Sequence, residues 1–272
     1  MRSLMLAALI AVSGCAAYND QCVALVDNPN QRVAFIGKEL WLDKPNARHA
    51  ANALGEAVTD GFVWVYKDST PVDFAVINGG SLRADGLCVS HSILPVGPLS
   101  NGVLNEIMLF ENQMTSVDLA EQEVIDMFEH SADRLIVAPN PIPASPAGQF
   151  LQVSQEVDLS IDCSQPVGSR ITKVSIKGQT LQRPGRPLDQ VKYRMALSNY
   201  LAGGGDNYTM LANKNLDPAR NAFPAPRFGG VDANIATQFL LQSQYNQTAD
   251  QGLKPNSRIH FTNCSVPGRP AN

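Results

Sequence analysis

Basic residues are in short supply. The 272-residue chain carries 21 lysines and arginines against 25 acids, a net charge of −4. Binding to a nucleic-acid polymer normally needs a basic patch, so that class has no support, although a few placed arginines suffice for a small anion. Histidine is rarer: His49, His91, His130 and His260 are the full set, and no two form an HxH pair. No CxxC or Cys/His spacing of the zinc-binding kind occurs. A phosphate-cradling P-loop sequence is missing too. The apolar run from Leu4 to Val12 is too short to span a bilayer. The chain has no internal repeat and no low-complexity segment.

What is present fits a globular protein. Hydrophobic residues make up 44% and charged residues 17%, enough for a real core. The length suits one large domain or two small ones. Residues 1–15 read as a targeting segment, with Arg2 as their sole charge and Leu4 to Val12 as the apolar region. The ending Val12-Ser13-Gly14-Cys15 resembles the bacterial lipoprotein signal, in which small residues precede a cysteine that becomes lipidated. That resemblance implies an exported lipoprotein anchored through Cys15, facing the periplasm or the cell surface. An ordinary secretory signal cut near Ala16 or Ala17 is the alternative. Removing Cys15 leaves Cys22, Cys88, Cys163 and Cys264, which suggest two disulfides with three connectivities.

Residues 16–30 are polar and read as a tether, residues 31–265 as the folded domain and residues 266–272 as a polar tail. Val33 to Gly37 predicts a strand, and Leu40 to Leu42 a second. Asn46 to Ala53 reads as an irregular approach to a helix over 54–66, whose apolar residues follow helical spacing. Asp73 to Ile77 is a compact β-branched run, read as a buried strand that ends in Asn78-Gly79-Gly80-Ser81-Leu82-Arg83. Pro95 to Asn101 reads as loop, Glu106 to Phe110 and Met114 to Leu119 as strands, and Leu119 to Ala132 as a helix. Pro139 to Pro146 holds four prolines, which marks a rigid exposed connection. Strands are expected at Gln149 to Ser154 and Arg170 to Ile176, with a hairpin turn at Lys177-Gly178-Gln179. Lys192 to Leu197 alternates as a strand and runs into Asn199-Tyr200-Leu201-Ala202-Gly203-Gly204-Gly205-Asp206-Asn207-Tyr208. A final helix is expected over 232–245, capped by Asp232, and a last strand at Ile259 to Phe261. Hairpin-like strands with interspersed helices predict an α+β fold.

Two strands thus deliver the chain into glycine turns edged with polar residues. Glycines let a ligand approach the main chain closely, and such strand ends are where ligands bind in many α/β-type sheets. Several segments together then resemble one family, from about Arg32 to about Leu211. They are Arg48 with Leu54-Gly55; Ile77 to Arg83; Leu109-Phe110; Phe128 to Ser131; Gly148 to Ser154; and Asn199-Tyr200 with Gly204 to Tyr208. In this order and spacing they resemble the C-terminal, substrate-binding domain of the 5′-nucleotidase family. The resemblance implies mixed sheets with helices packed on them, layered α-β-β-α.

The resemblance also implies site roles. Phe110 and Tyr200 match the two rings that clamp a nucleoside, and ring stacking contributes about 1–3 kcal/mol per base. Asp206 matches the acid that binds ribose hydroxyls. Arg48, Asn78 and Arg83 match polar residues lining the same pocket; arginine suits phosphate because its planar fork meets two oxygens at once. Gly79, Gly80, Gly204 and Gly205 supply the backbone loops. Three departures stand out: Glu111 where the family commonly has glycine, Tyr200 for the usual Phe, and Gln155 where glycine is frequent.

The family's enzymes also carry an N-terminal metallophosphoesterase domain with two metals, which generates hydroxide and clamps the phosphate. About thirty residues precede the resemblance, too few for that domain, and none of the four histidines sits in an Asn-His-Asp or Asn-His-Glu motif. No catalytic centre, metal site or cofactor is therefore expected in this chain; divalent metals would belong to the missing domain. Three readings follow: a nucleoside or nucleotide binder that completes a nucleotidase with a separate metallophosphoesterase chain, a stand-alone nucleoside-binding lipoprotein for scavenging or sensing, or a degenerate surface protein that binds nothing.

Overall fold

A computed structural model describes residues 26–84, 91–186, 192–212, 214, 231–256 and 258–270. The chain opens with β1 (Arg32–Ile36), β2 (Leu40–Trp41), α1 (Lys44–His49) and α2 (Ala53–Tyr66), followed by β3 (Phe74–Asn78), β4 (Ile93–Leu94) and β5 (Gly97–Ser100). It continues through α3 (Asn101–Ile107), β6 (Met114–Ala120), α4 (Glu121–Ala132), β7 (Leu151–Val153), β8 (Val157–Asp162), β9 (Ile171–Ile176) and β10 (Gln179–Thr180). Last come β11 (Lys192–Ser198), α5 (Asn199–Ala202), α6 (Thr209–Ala212), α7 (Asp232–Gln242) and β12 (Ile259–Thr262).

Two four-stranded sheets carry the fold, in the orders β6-β11-β3-β7 and β10-β9-β8-β12. Both are mixed: β11 runs antiparallel to β6 and parallel to β3, and β12 runs parallel to β8 while β9 is antiparallel to it. The expected α+β class with mixed sheets and packed helices is what the chain adopts. Strand β3 shows why the layers form. All five of its residues are buried, and the period-2 alternation of Phe74 to Ile77 splits those four between two cores. Phe74 and Val76 face a core with Leu159, Ile161, Val174 and the α4 residues Val124 and Phe128. Ala75 and Ile77 face a second core with Leu54, Val58 and Phe62 of α2 and Ile235 and Leu240 of α7. A central strand buried on both faces reads as a continuous apolar run, which is how Phe74 to Ile77 reads in the sequence.

Charges pin the helical layer from behind. Arg258 donates to both carboxylate oxygens of Asp60 on α2, at 2.8 and 2.7 Å, and both residues are buried. Glu56, one turn earlier on α2, is buried beside them and accepts the Asn256 N–H at 3.0 Å. Burial pushes its carboxyl up to about 7, partly offset by Arg258.

Several expectations change. Glu106 to Phe110 is not a strand: α3 runs to Ile107, capped by Ser100 Oγ accepting from the Val103 N–H, and β-branched Val103 and Ile107 sit on a helical face. The loop expected over 95–101 contains β5, which pairs with β1. The approach over 46–53 contains most of α1, started by Pro45 in its first turn. Strand β8 went unpredicted, although Val157, Leu159 and Ile161 alternate with polar residues. Helix α7 ends at Gln242 and its N-cap is Val231; Asp232 lies inside the first turn, and its buried carboxylate accepts from Asn112 Nδ2 at 3.1 Å. The tail is seated on the body as far as residue 270: Arg269 pairs with Glu39 at 2.9 Å and Gly268 O accepts from Asn46. Cys163 and Cys264 form a disulfide linking β8 to β12. Cys15, Cys22 and Cys88, with the whole 1–15 segment, lie outside the described residues. No helix among the described residues is long and apolar enough to cross a membrane.

Candidate functional site

The site forms where β3 and β11, parallel neighbours, deliver their C-terminal ends side by side. After Asn78 the chain turns at once through a 3-10 turn, Gly79–Ser81. A Cβ on Gly79 would lie 2.0 Å from Ala47 O, so only glycine lets α1 seat its backbone on the turn. That contact fixes Arg48, whose Nη1 donates to Pro146 O at 2.5 Å. Gly79 and Gly80 donate their N–H groups to Phe150 O and Gly148 O, at 2.7 and 2.9 Å. The β3 turn is thereby stitched to the segment entering β7.

After β11, the helix α5 is capped by Ser198 Oγ, which accepts from the Leu201 N–H. Gly204, at φ 89°, then reverses the chain into a second 3-10 turn, Gly205–Asn207. Asp206 sits in that turn with φ 51° and ψ 28°, left-handed backbone that few non-glycine residues adopt. Four contacts hold it. Its Oδ2 accepts from Asn78 Nδ2 at 2.7 Å, and its Oδ1 accepts from the Tyr200 hydroxyl at 2.8 Å. Its N–H donates to the same hydroxyl at 3.1 Å, and its carbonyl lies 2.8 Å from His130 Nε2. A carbonyl can only accept, so Nε2 of His130 carries the proton. Asn78 is itself oriented by Ser81, whose hydroxyl donates to Oδ1 at 2.6 Å. Burial, and then the bond to Asp206, raises the Tyr200 phenol above its ordinary value.

The Tyr200 ring lies flat enough on the loop that a Cβ at Gly205 would be 2.5–2.6 Å from three of its carbons. It is 45% exposed, and Phe110 is 43% exposed. Among the described residues these are the two aromatic rings that are exposed, which sets them apart from the rest. The two segments are tied together close by. Asn199 N donates to Gln113 O at 2.7 Å, and Gln113 N donates to Asn199 Oδ1 at 3.1 Å. Phe110 thus precedes the junction by three residues, and Tyr200 follows it by one. The Arg83 guanidinium lies 4.5 Å from the Phe110 ring centroid, a cation–π contact, and its buried Nε has no hydrogen-bond partner among the described residues. Glu111 has φ 49°, which explains why glycine suits this position. Glu111 also adds to the upward shift of the Asp232 carboxyl, to about 6, which burial dominates.

The six side chains singled out in the sequence therefore fall into linked groups. Asn78, Tyr200 and Asp206 form one hydrogen-bonded unit; Arg83 and Phe110 form a second, joined to the first through Ser81 and Gln113; Arg48 reaches the first through the contact of α1 with Gly79. Support residues were not assigned roles in advance. His130 packs its ring edge on Tyr208 at 4.6 Å, and Tyr208, fully buried, donates to Gln149 O at 2.6 Å. Gly148 comes within 3.5 Å of Asp206 Oδ2, measured from where its Cβ would be. These residues lie in segments that carry the family resemblance, so a signal existed.

Comparison with known proteins decides the family. A family model for the 5′-nucleotidase C-terminal domain matches residues 33–213, more than half of the chain. The chain belongs to this family. An apyrase from Tabanus yao is 30% identical over 193 residues, covering 67% of this chain and 32% of its own. The 5′-nucleotidase of Homo sapiens is 25% identical over 215 residues, covering 76% of this chain and 31% of its own. Among solved structures, a 5′-nucleotidase precursor from Thermus thermophilus superposes with a TM-score of 0.63 at 26% identity, over 86% of this chain and 40% of that one. The chain thus spans about a third of the length of the curated relatives it matches.

Proposed function

We propose that this 5′-nucleotidase C-terminal domain binds a nucleoside or nucleotide at the β3 and β11 strand ends. The base stacks between Phe110 and Tyr200, the ribose hydroxyls meet Asp206, and Arg48 and Arg83 serve the phosphate side. One observation carries this reading: Asp206 is held by Asn78 and Tyr200 next to two half-exposed rings on hydrogen-bonded segments. A carboxylate beside open aromatic faces offers stacking to a base and acceptors to a diol, and few other ligands use both. In the same reading the protein is exported, anchored by lipid at Cys15, and works in nucleotide catabolism with a separate metallophosphoesterase chain that brings the divalent metals and the hydrolytic step.

Calorimetric titration with adenosine, AMP and UMP tests the binding. Heat at 1:1 stoichiometry from at least one ligand is expected, weakened by about 1–3 kcal/mol in Asp206→Ala. Folded protein that gives no heat with any of them contradicts the proposal. Hydrolysis of AMP with Mn²⁺ is expected only after adding a metallophosphoesterase encoded beside this chain; turnover by this chain alone refutes the division of labour.

A further inference from the structure

Stacking a base needs only a ring, yet Tyr200 carries a hydroxyl, and that hydroxyl is engaged both as donor and as acceptor. It accepts the Asp206 N–H at 3.1 Å and donates to Asp206 Oδ1 at 2.8 Å. The residue it grips has left-handed backbone at φ 51°, a conformation that aspartate tolerates better than most residues when its side chain bonds locally. The other carboxylate oxygen is held by Asn78 at 2.7 Å. An ionised carboxylate has about four lone-pair sites. Tyr200 and Asn78 take one on each oxygen, which leaves acceptor capacity on both. Two oxygens of one carboxylate, each with acceptor capacity left, can serve two vicinal hydroxyls.

We propose that the Tyr200 hydroxyl is a positioning group: it sets the Asp206 carboxylate for a vicinal diol and so determines how strongly the site prefers ribonucleosides to diol-less analogues, separately from the stacking of its ring. This rests on the nucleoside reading of the same site. It predicts that a phenylalanine at this position keeps the stacking and loosens the diol recognition.

The test uses the full chain with adenosine and 2′,3′-dideoxyadenosine, titrated into wild type, Tyr200→Phe, Asp206→Ala and the double variant. Tyr200 is 45% exposed, so the Phe variant keeps the fold, and its unfolding midpoint verifies this. The wild type should prefer adenosine. In Tyr200→Phe the preference should shrink by about three- to tenfold, the loss of one net hydrogen bond, while dideoxyadenosine affinity stays within about twofold. In Asp206→Ala the preference should vanish, and adding Tyr200→Phe should change it no further. A preference unchanged or increased in Tyr200→Phe overturns the proposal and leaves the nucleoside site standing. Equal loss of both ligands would make Tyr200 a stacking residue only and also overturns it. A folded wild type that binds neither ligand overturns both readings.

Discussion

Gly205→Ala is the sharpest perturbation of the site that leaves the fold alone. Gly205 lies outside the left-handed backbone region, so alanine is sterically allowed there, and the nearest atoms its new methyl would meet belong to the Tyr200 ring. The clash is severe: three ring carbons lie at 2.5–2.6 Å, whereas ordinary contact begins near 3.4 Å. The ring must retreat by about 1 Å, and it is free to do so because it is half exposed. Its hydroxyl, now 2.8 Å from Asp206 Oδ1, then leaves hydrogen-bond range. Lost hydrogen bonding contributes about 0.5–1.5 kcal/mol and displaced stacking up to about 1–3 kcal/mol, so nucleoside affinity should fall by roughly tenfold to a thousandfold. Stability should change by less than about 1 kcal/mol, as for other surface substitutions. Titration calorimetry and thermal unfolding of the same samples check both halves. Unchanged affinity would show that the observed Tyr200 position is not the one that meets ligand, and a large drop in unfolding temperature would refute the claim that only the site is touched.

Other outcomes follow from the rest of the molecule. Asp60→Ala strands the buried Arg258 without its carboxylate and should cost about 3–5 kcal/mol in chemical denaturation; a cost under about 1 kcal/mol would mean water or another acid takes over. Burial raises the Glu56 carboxyl from 4.5 to about 7 in the folded chain. Its folded form holds a proton that the unfolded chain has released, so stability should decline as pH rises from about 4.5 to about 7. The gain from Glu56→Gln should therefore grow across that window and level off above it; a pH-independent difference would refute the assignment. Cys264→Ser opens the Cys163–Cys264 disulfide, which spans 101 residues, and should lower stability by roughly 2–5 kcal/mol in oxidised protein, an effect that reductant abolishes.

Much of this was legible in the residues, for physical reasons. Strand β3 is buried on both faces and so reads as an unbroken apolar run; α2 and α4 show helical spacing; the hairpin at Lys177-Gly178 is marked by its glycine, and both residues take positive φ, at 51° and 78°. What failed was local. Helix α3 is seven residues long, too short for periodicity to separate it from a strand, and its Ser100 cap outweighs the β-branched residues. Helix α1 is stabilised by its seat on Gly79, a contact about 30 residues away that no local window contains. In the site, residue types pointed to Tyr200 and Asp206, but not to the bonds between them. The role of His130 is to hold a backbone carbonyl, which depends on three-dimensional placement alone. Asn78, read as a polar residue lining the pocket, spends a donor on Asp206 and accepts from Ser81, which shows how a pocket residue can be committed to its neighbours.

The central claim is that one constellation of Phe110, Tyr200 and Asp206 receives a nucleoside. A crystal structure of the chain soaked with adenosine tests it most directly. The account predicts the base stacked against Tyr200 and Phe110, with both ribose hydroxyls within hydrogen-bond distance of the Asp206 carboxylate. A nucleoside bound elsewhere, or bound here with its ribose turned away from Asp206, would contradict it.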